Sequence, residues 1–397
     1  MGLRIFDFRL SIADCFIARR QSQICNWQSA IKKPTRYRVV VLTSLHPVNG
    51  NGPEGEPQTA LEPSSAGIKL KRLVQYPTIM TTPARIVSFL PSATEMACAL
   101  GLTDQLVGIT HECDYPPEVR GKTVVVRSAL PIESMSQSEI DVAVAQRMRA
   151  GLSLYQVDEA LLRKLAPDLI LTQNLCQVCA PSGNEVAQVL KVLPRQPEIL
   201  WLTPKSLDEI FANVRELGAA TERVNEAEQL VVAGRERLER ITAMTGALTE
   251  RPRVFCMEWL DPVYCSGHWM PEMVAIAGGV DGLGHAGADS VRISWTDVME
   301  WAPEVLIITP CGFNLEKVIE QTPPLFDYPG WSELPAVRNE RVYAVDANSY
   351  FARPSLRVVE GTELLAHLIH PDLFTWQSPA KAFARIDVHR SQSRVAS

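Results

Sequence analysis

The sequence predicts an α/β protein of two Rossmann-like lobes with parallel-rich sheets, joined by one long connector helix. Three observations predict it. Short apolar runs alternate with helical stretches on both sides of the chain's middle, the order that builds mostly parallel sheets. A stretch of about forty residues with helical spacing of its apolar positions separates the two sides. Two segments also recur in the same order: "EMACALGLTDQLVG" from Glu95 is echoed by "EMVAIAGGVDGLG" from Glu272, and "APDLILTQNLC" from Ala166 by "APEVLIITPCG" from Ala302.

From Arg85 the elements follow one another regularly. "RIVSFL" is the first strand, and "PSATEMACALGL" opens with a proline turn, offers Ser92 or Thr94 as an N-cap and runs as a helix to Gly101. "QLVGIT" and "KTVVV" are the next strands. "SQSEIDVAVAQRMRAGLSLYQVDEALLRKLA" reads as helical segments broken near Gly151, and "PDLILTQ" as a buried strand because its apolar residues run consecutively. The segment Leu207 to Leu248 is one very long helix or two abutting ones, placed as a rigid connector. The resulting division is an N-terminal α/β lobe at 81–205, a connector at 206–250, a C-terminal α/β lobe at 251–376 and a polar, mobile tail at 377–397.

Residues 1–80 stand apart. They hold 11 Lys and Arg against 5 Asp and Glu, whereas the rest of the chain holds 28 against 40. With the turn-rich stretch from Asn49 to Gly67, they read as a disordered or non-native N-terminal extension. The acidic body argues against a nucleic-acid partner, which needs clustered Lys and Arg to neutralise phosphates. No run of about 18 apolar residues appears, so no transmembrane helix is expected. Arg4, Asp7, Arg9 and Asp14 interrupt the uncharged core that a secretory signal needs. Nine cysteines, an odd number, suit a reducing compartment. The expected location is therefore the cytoplasm, with the periplasm or an organelle as the alternative should the extension be a targeting segment. A monomer or weak dimer is expected.

The chemistry-bearing residues fall just after strands. "THECDYPP" supplies His111, Glu112, Cys113 and Asp114; "NLCQVCAPSG" supplies Cys176 and Cys179. In the second half "RVFCMEWLDPVYCSGHWMPE" supplies Glu258, Trp259, Asp261, Cys265, His268 and Trp269. "VLIITPCGF" supplies Cys311, and "VYAVDANSYFARPSLR" supplies Asn348 and Tyr350. Ligands of open parallel sheets bind outside the carboxyl ends of the strands, so these loops should converge on one cleft between the lobes. One reading is a Zn or Fe site drawn from His111, Cys113, Cys176, Cys179, Cys265, His268 and Cys311. Another is a thiol redox pair at Cys176 and Cys179. Cys98 and Cys256 lie in apolar segments and read as core residues. Glu112, Asp114, Glu258 and Asp261 have the chemistry of a general acid and base. No nucleophile elbow, phosphate loop, H-E-x-x-H or G-x-G-x-x-G accompanies them, so an enzyme is not the leading expectation. Trp259, Trp269, Trp295, Trp301 and Trp331 either line a pocket for a large flat ligand or fill the core.

With "RIVSFLPSATE", "PDLILTQ", "PEVLIITP" and the central helix, the chain from Arg85 to about Trp376 resembles the helical-backbone substrate-binding proteins of iron-siderophore, haem and cobalamin uptake. "THECDYP", "LCQVCA", "DPVYCSGHWMPE" and "PCGF" together look closest to their signal-less cobalamin-binding branch. The resemblance implies a rigid connector helix, a shallow cleft, modest closure on binding and recognition without chemistry. It implies a ligand that is cobalamin or a related metal chelate, and an ABC transporter as recipient, docked through acidic residues on the lobe tops. The expected ligand contacts are Pro91, Ser92, His111, Glu112, Asp114, Trp259, His268, Trp269, Asn348 and Tyr350. The chain departs from the uptake pattern in its Cys- and His-rich cleft and in lacking a lipobox cysteine before the first strand. A histidine or thiolate there has the softness to serve as an axial ligand to cobalt.

Overall fold

The computed structural model describes residues 83–174, 183–377 and 381–387; the expectation for residues 1–80 lies outside them. β1 (Ile86–Ser88) is buried along its whole length, as befits a central parallel strand covered on both faces. Pro91 begins α1 (Pro91–Ala99), where its fixed φ suits the first turn and its missing N–H leaves one fewer donor unpaired. The chain continues through β2 (Leu106–Thr110), β3 (Val124–Ser128), α2 (Gln137–Arg149), β4 (Tyr155–Val157), α3 (Glu159–Leu165), β5 (Leu169–Thr172), α4 (Gly183–Val192) and β6 (Glu198–Trp201). These strands form a sheet in the order β4-β3-β2-β1-β5-β6, parallel except for the β3–β4 pair at one edge. The stretch from 136 to 166, expected to be helical with a break near Gly151, holds a strand as well. Gly151, at φ +64°, turns the chain out of α2, and "YQV" pairs antiparallel with β3.

The connector is broken once. α5 (Leu207–Ala220) is capped by Ser206, whose hydroxyl accepts from Glu209 N, and α6 (Val224–Thr245) follows after Glu222, which takes a left-handed φ of +59°. The two helices fold back on each other: Arg215 pairs with Glu228 and Arg235 with Asp208, both at 2.7 Å. A Cβ on Gly218 would sit 2.4 Å from the Ala227 Cβ, so only glycine permits this approach. α5 packs on α1, while α6, at 22 residues about 33 Å long, also packs on α7 (Met270–Ile276) and on the long C-terminal helix at Val358–Ile369. It is the long helix that joins the lobes.

The second half starts with β7 (Arg253–Met257) and the two-residue strands β8 (Trp259–Leu260), β9 (Val263–Tyr264), β10 (Gly267–His268), β11 (Val280–Asp281) and β12 (His285–Ala286). It continues with α8 (Trp295–Trp301), β13 (Val305–Ile308), α9 (Leu315–Gln321), α10 (Pro335–Arg338), β14 (Val342–Val345), α11 (Ala347–Tyr350), α12 (Val358–Ile369) and β15 (Phe383–Arg385). The sheet order is β11-β7-β13-β14-β15, with only β14–β15 antiparallel. β15 corrects the expectation of a mobile tail: Phe383 packs its ring 6.2 Å from that of Tyr343, and Ile386 is buried, so this short apolar segment completes the sheet edge. The repeated "AP" segments are repeated in structure too. Ala166 and Ala302 both end a helix in the left-handed conformation, at φ +42° and +48°, just before β5 and β13.

One apolar core runs from α1 and β1 through α5 and α6 to α7, β7 and α12, and so spans both lobes. A second, on the far face of the second sheet, takes in Ile140 of α2, a residue of the first lobe. Trp331 belongs to that second core and the partly buried Trp295 and Trp301 pack against it; none of the three lines the cleft described below.

Candidate functional site

A cleft of about 470 Å³ lies at the carboxyl ends of both sheets, where an open α/β sheet leaves room because its loops diverge. The turn after β1 brings Pro91 and Ser92, the turn after β2 brings Glu112, and Gln173 follows β5. From the second lobe come Glu258 and Trp259 after β7, Thr309, Cys311 and Phe313 after β13, and Asn348 with Phe351–Pro354 after β14. His268 and Trp269 form one wall and Tyr264 another, while Ile140, Asp141 and Val144 of α2 close a side. α2 reaches across to do this: Gln137 Oε1 accepts from Leu260 N at 2.7 Å, and Asp141 takes Arg292 at 3.0 Å and the Tyr264 hydroxyl at 3.4 Å.

Of the expected contacts, Pro91, Ser92, Glu112, Trp259, His268, Trp269, Asn348 and Cys311 line this cleft. His111, Asp114, Tyr350, Cys113 and Cys265 are not among its lining. In the turn after β2, His111 N donates to Val126 O and Cys113 N to Thr110 O, and of these three residues only Glu112 lines the cleft. Cys113 Sγ sits 3.1 Å from Thr94 Oγ1 and 3.3 Å from Thr110 Oγ1, and burial pushes its thiol above the ordinary value. Burial does the same to Cys265. Tyr350 turns inward against Trp376, with ring centroids 5.8 Å apart. Asp114 binds Arg353 Nη1 at 2.5 Å. Cys176 and Cys179 lie outside the described residues. Among the described residues no three His, Cys, Asp or Glu side chains gather to hold a metal ion.

His268 is held in a left-handed backbone conformation, φ +51°, by its N–H to Ala288 O and its C=O to Gly287 N, at 2.7 and 2.9 Å. Burial pushes its imidazole below the ordinary value, against the pull of Asp289. A neutral imidazole whose Nε2 lies 3.0 Å from the Asp289 carboxylate donates there, which leaves the lone pair on Nδ1. Trp269 donates its indole N–H to Phe351 O at 2.9 Å. The loop that carries both is braced by Asp281, which accepts from Ser266 Oγ, Gly284 N and Leu283 N.

Burial raises the Asp281 carboxyl to about 6. Since the unfolded group ionises near 3.8, this residue's contribution to stability is full below about pH 4 and is lost as pH rises through 6, by about 1 kcal/mol between pH 5 and 7. Asp281→Asn, which keeps an acceptor for the two backbone N–H groups, should abolish that part of the pH dependence. Urea midpoints at the two pH values check it, and an unchanged slope would sink it.

Sequence reasoning missed Tyr155, Ile140, Asp141, Tyr264, Thr309, Phe313 and Arg353. Tyr264 and Phe313 stood one and two residues from flagged cysteines and were legible as aromatics in strand-end loops. α2 gave no local sign of its destination. Arg353 holds the lobes together: with Arg357 and Ser355 it surrounds the buried Glu95 of α1 (Nη1–Oε1 3.3 Å; Arg357 Nε–Oε2 3.0 Å), and its Nη2 donates to Glu112 O at 2.9 Å.

Two α/β lobes with a shared core, a long joining helix and a ligand-sized cleft at the strand ends define a solute-binding protein. The match to the periplasmic binding protein family covers residues 86–349, and the chain belongs to that family, as a substrate-binding protein of the ABC-transporter type. It is 29% identical to an uncharacterized ABC transporter substrate-binding lipoprotein of Bacillus subtilis, YvrC, over 75% of this chain and 83% of that one. It is 26% identical to the vitamin B12-binding protein of Vibrio cholerae over 72% and 90%. In fold it matches the periplasmic vitamin B12 binding protein BtuF of Vibrio cholerae (TM-score 0.55, 23% identity, 72% and 97% covered) and a periplasmic heme binding protein from Pseudomonas aeruginosa (0.57, 19%, 75% and 96%). The family is one of solute-binding proteins rather than enzymes.

These relatives correct the cytoplasmic expectation: they are periplasmic proteins or lipoproteins, and point to a location outside the cytoplasm. That expectation rested on the charges at Arg4, Asp7, Arg9 and Asp14, which lie outside the described residues, and on the odd cysteine count, which does not by itself fix a compartment. Among the described residues no helix is long and apolar enough to cross a membrane.

Proposed function

We propose that this protein binds cobalamin or a related metal-chelate ligand in the cleft, without chemical change, for delivery to an ABC transporter. The observation that carries the reading is the make-up of the cleft: Trp259, Trp269, Tyr264, Phe313 and Tyr155 all line it, together with His268, whose Nδ1 keeps its lone pair when Nε2 donates to Asp289. Aromatic faces hold a flat ring by area and stacking. The volume lies within the range of sites that bury small ligands. The vitamin B12-binding relatives support the same ligand class.

Calorimetric and absorption titration of the full chain with cyanocobalamin and aquocobalamin tests it. Saturable binding of at least one is expected, and a band shift with aquocobalamin that His268→Ala removes would identify the axial contact. No heat and no spectral change with either form, nor with haemin, would end the proposal.

A further inference from the structure

His268 lines the cleft in a left-handed backbone conformation that a residue with a Cβ adopts only at a cost. The residue before it is tethered by a carboxylate. Glu258, which follows β7, accepts the Gly267 N–H on its Oε1 at 3.0 Å. The backbone of Glu258 reaches two further parts of the wall: its N donates to Tyr264 O at 3.1 Å, and its O accepts from Cys311 N at 3.3 Å. Tyr264, His268 and Cys311 all line the cleft, so one residue at the end of an interior strand of the sheet ties together three segments of its wall.

Gly267 has no room to drift. It is buried, and a Cβ on it would lie 2.4 Å from Ser290 N and 2.7 Å from Ala288 O. The same segment grips the next residue: His268 N donates to Ala288 O, Gly287 N donates to His268 O, and the imidazole Nε2 lies 3.0 Å from Asp289 Oδ1. Gly267 is thus packed against 288–290 and held at its N–H by Glu258. Without that acceptor a buried N–H must find another partner. Any movement of Gly267 passes directly to His268, whose φ persists only while its surroundings over-determine it.

We propose that Glu258 is a positioning residue: its carboxylate sets the posture of His268 at the cleft and thereby favours chelates whose metal has an exchangeable axial position over those whose axial positions are firmly filled. This rests on the chelate-binding reading above, with His268 as the axial group. In this role the carboxylate acts as a hydrogen-bond acceptor and takes no part in proton transfer.

The test titrates the full chain and its variants with aquocobalamin, whose axial water exchanges, and with cyanocobalamin, whose cyanide is held firmly, and reads the ratio of the two affinities. The parent should favour aquocobalamin at least tenfold and shift its visible bands. Glu258→Leu, of similar size but with no acceptor, should lower the ratio about tenfold and shrink the band shift. Glu258→Asp, which keeps the charge but falls one methylene short of Gly267 N, should lower it about threefold, and it carries the test if Glu258→Leu does not fold. Glu258→Gln, whose amide oxygen still accepts from Gly267 N, should return the ratio to within twofold of the parent. His268→Ala should abolish the preference and the band shift. A merely structural carboxylate would lower the melting temperature and both affinities together, leaving the ratio and the bands of the bound form as they were. That result, or a ratio in Glu258→Gln as low as in Glu258→Leu, overturns this inference. Cobalamin binding by the parent with no band shift also overturns it and leaves chelate binding standing, whereas binding of neither cobalamin nor haemin overturns both.

Discussion

Replacing Glu95 by alanine should destabilise the protein by about 3–5 kcal/mol, the range found when one partner of a buried ion pair is removed and the other stays. Glu95 lies in α1 of the first lobe and is buried, while Arg353 and Arg357 reach it from the loop before α12 in the second. Without it, Arg353 retains Asp114 and the Glu112 carbonyl. Arg357 retains the face of Tyr115, with its guanidinium carbon 4.1 Å from the ring centroid, an attraction of about 0.5–1 kcal/mol at a partly exposed site. Glu95→Gln keeps an acceptor for Ser355 and for one arginine and should lose roughly half as much. Urea unfolding of both variants measures the effect. A change below about 1 kcal/mol for Glu95→Ala would mean that solvent reaches the cluster and that the lobes are held by their apolar core alone.

The other large effect is expected at Trp269. Its ring is 6% exposed, packs in the core shared by the lobes and donates to Phe351 O. The same residue starts α7, its carbonyl accepting from Met273 N at 3.0 Å. Trp269→Ala removes the packing and leaves the Phe351 carbonyl without its donor, a loss of about 3–5 kcal/mol. Trp269→Phe refills most of the volume but not the hydrogen bond, and should cost about 1–2 kcal/mol. Thermal unfolding ranks the three proteins. Because the indole also lines the cleft, cobalamin affinity should fall in the same order; affinity unchanged in Trp269→Phe would place the ligand against Trp259 and the opposite wall instead.

What was legible in the sequence is what local pattern can encode. The consecutive apolar residues of "LILT" and "VLII" made buried parallel strands, Pro91 began a helix, and the recurring "AP" segments ended helices the same way in each half. The site was legible only as far as chain proximity carries it. Loops after strands had to meet, and Trp259, His268, Trp269, Cys311 and Asn348 do. The pairing of Glu95 with Arg353 spans 258 residues, and no spacing rule reaches that far. Side-chain direction within a short turn was equally hidden: His111 and Cys113 flank Glu112, yet only Glu112 lines the cleft, and outside a strand no period tells the three apart. The cysteines misled for a related reason. A thiol beside a histidine in sequence suggests a ligand pair, but Cys113 and Cys265 are folded into buried positions, and burial pushes both thiols above their ordinary value.

The α2 helix behaves like a hasp, carried by the first lobe and latched on the second. To swing free, it must expose Ile140, which is 8% accessible in the closed position, and give up the Gln137 and Asp141 bonds. Exposing that side chain alone would cost about 1.5–3 kcal/mol, so by the Boltzmann relation an unlatched form would hold at most between about one molecule in ten and one in two hundred, and fewer once the hydrogen bonds are included. A ligand entering on that side would wait for the rare open form, with its apparent affinity reduced by the same fraction. One entering elsewhere would find a cleft already walled. For entry past α2, the latch would turn a question of affinity into one of timing, with the slow step belonging to the protein rather than to the ligand's diffusion.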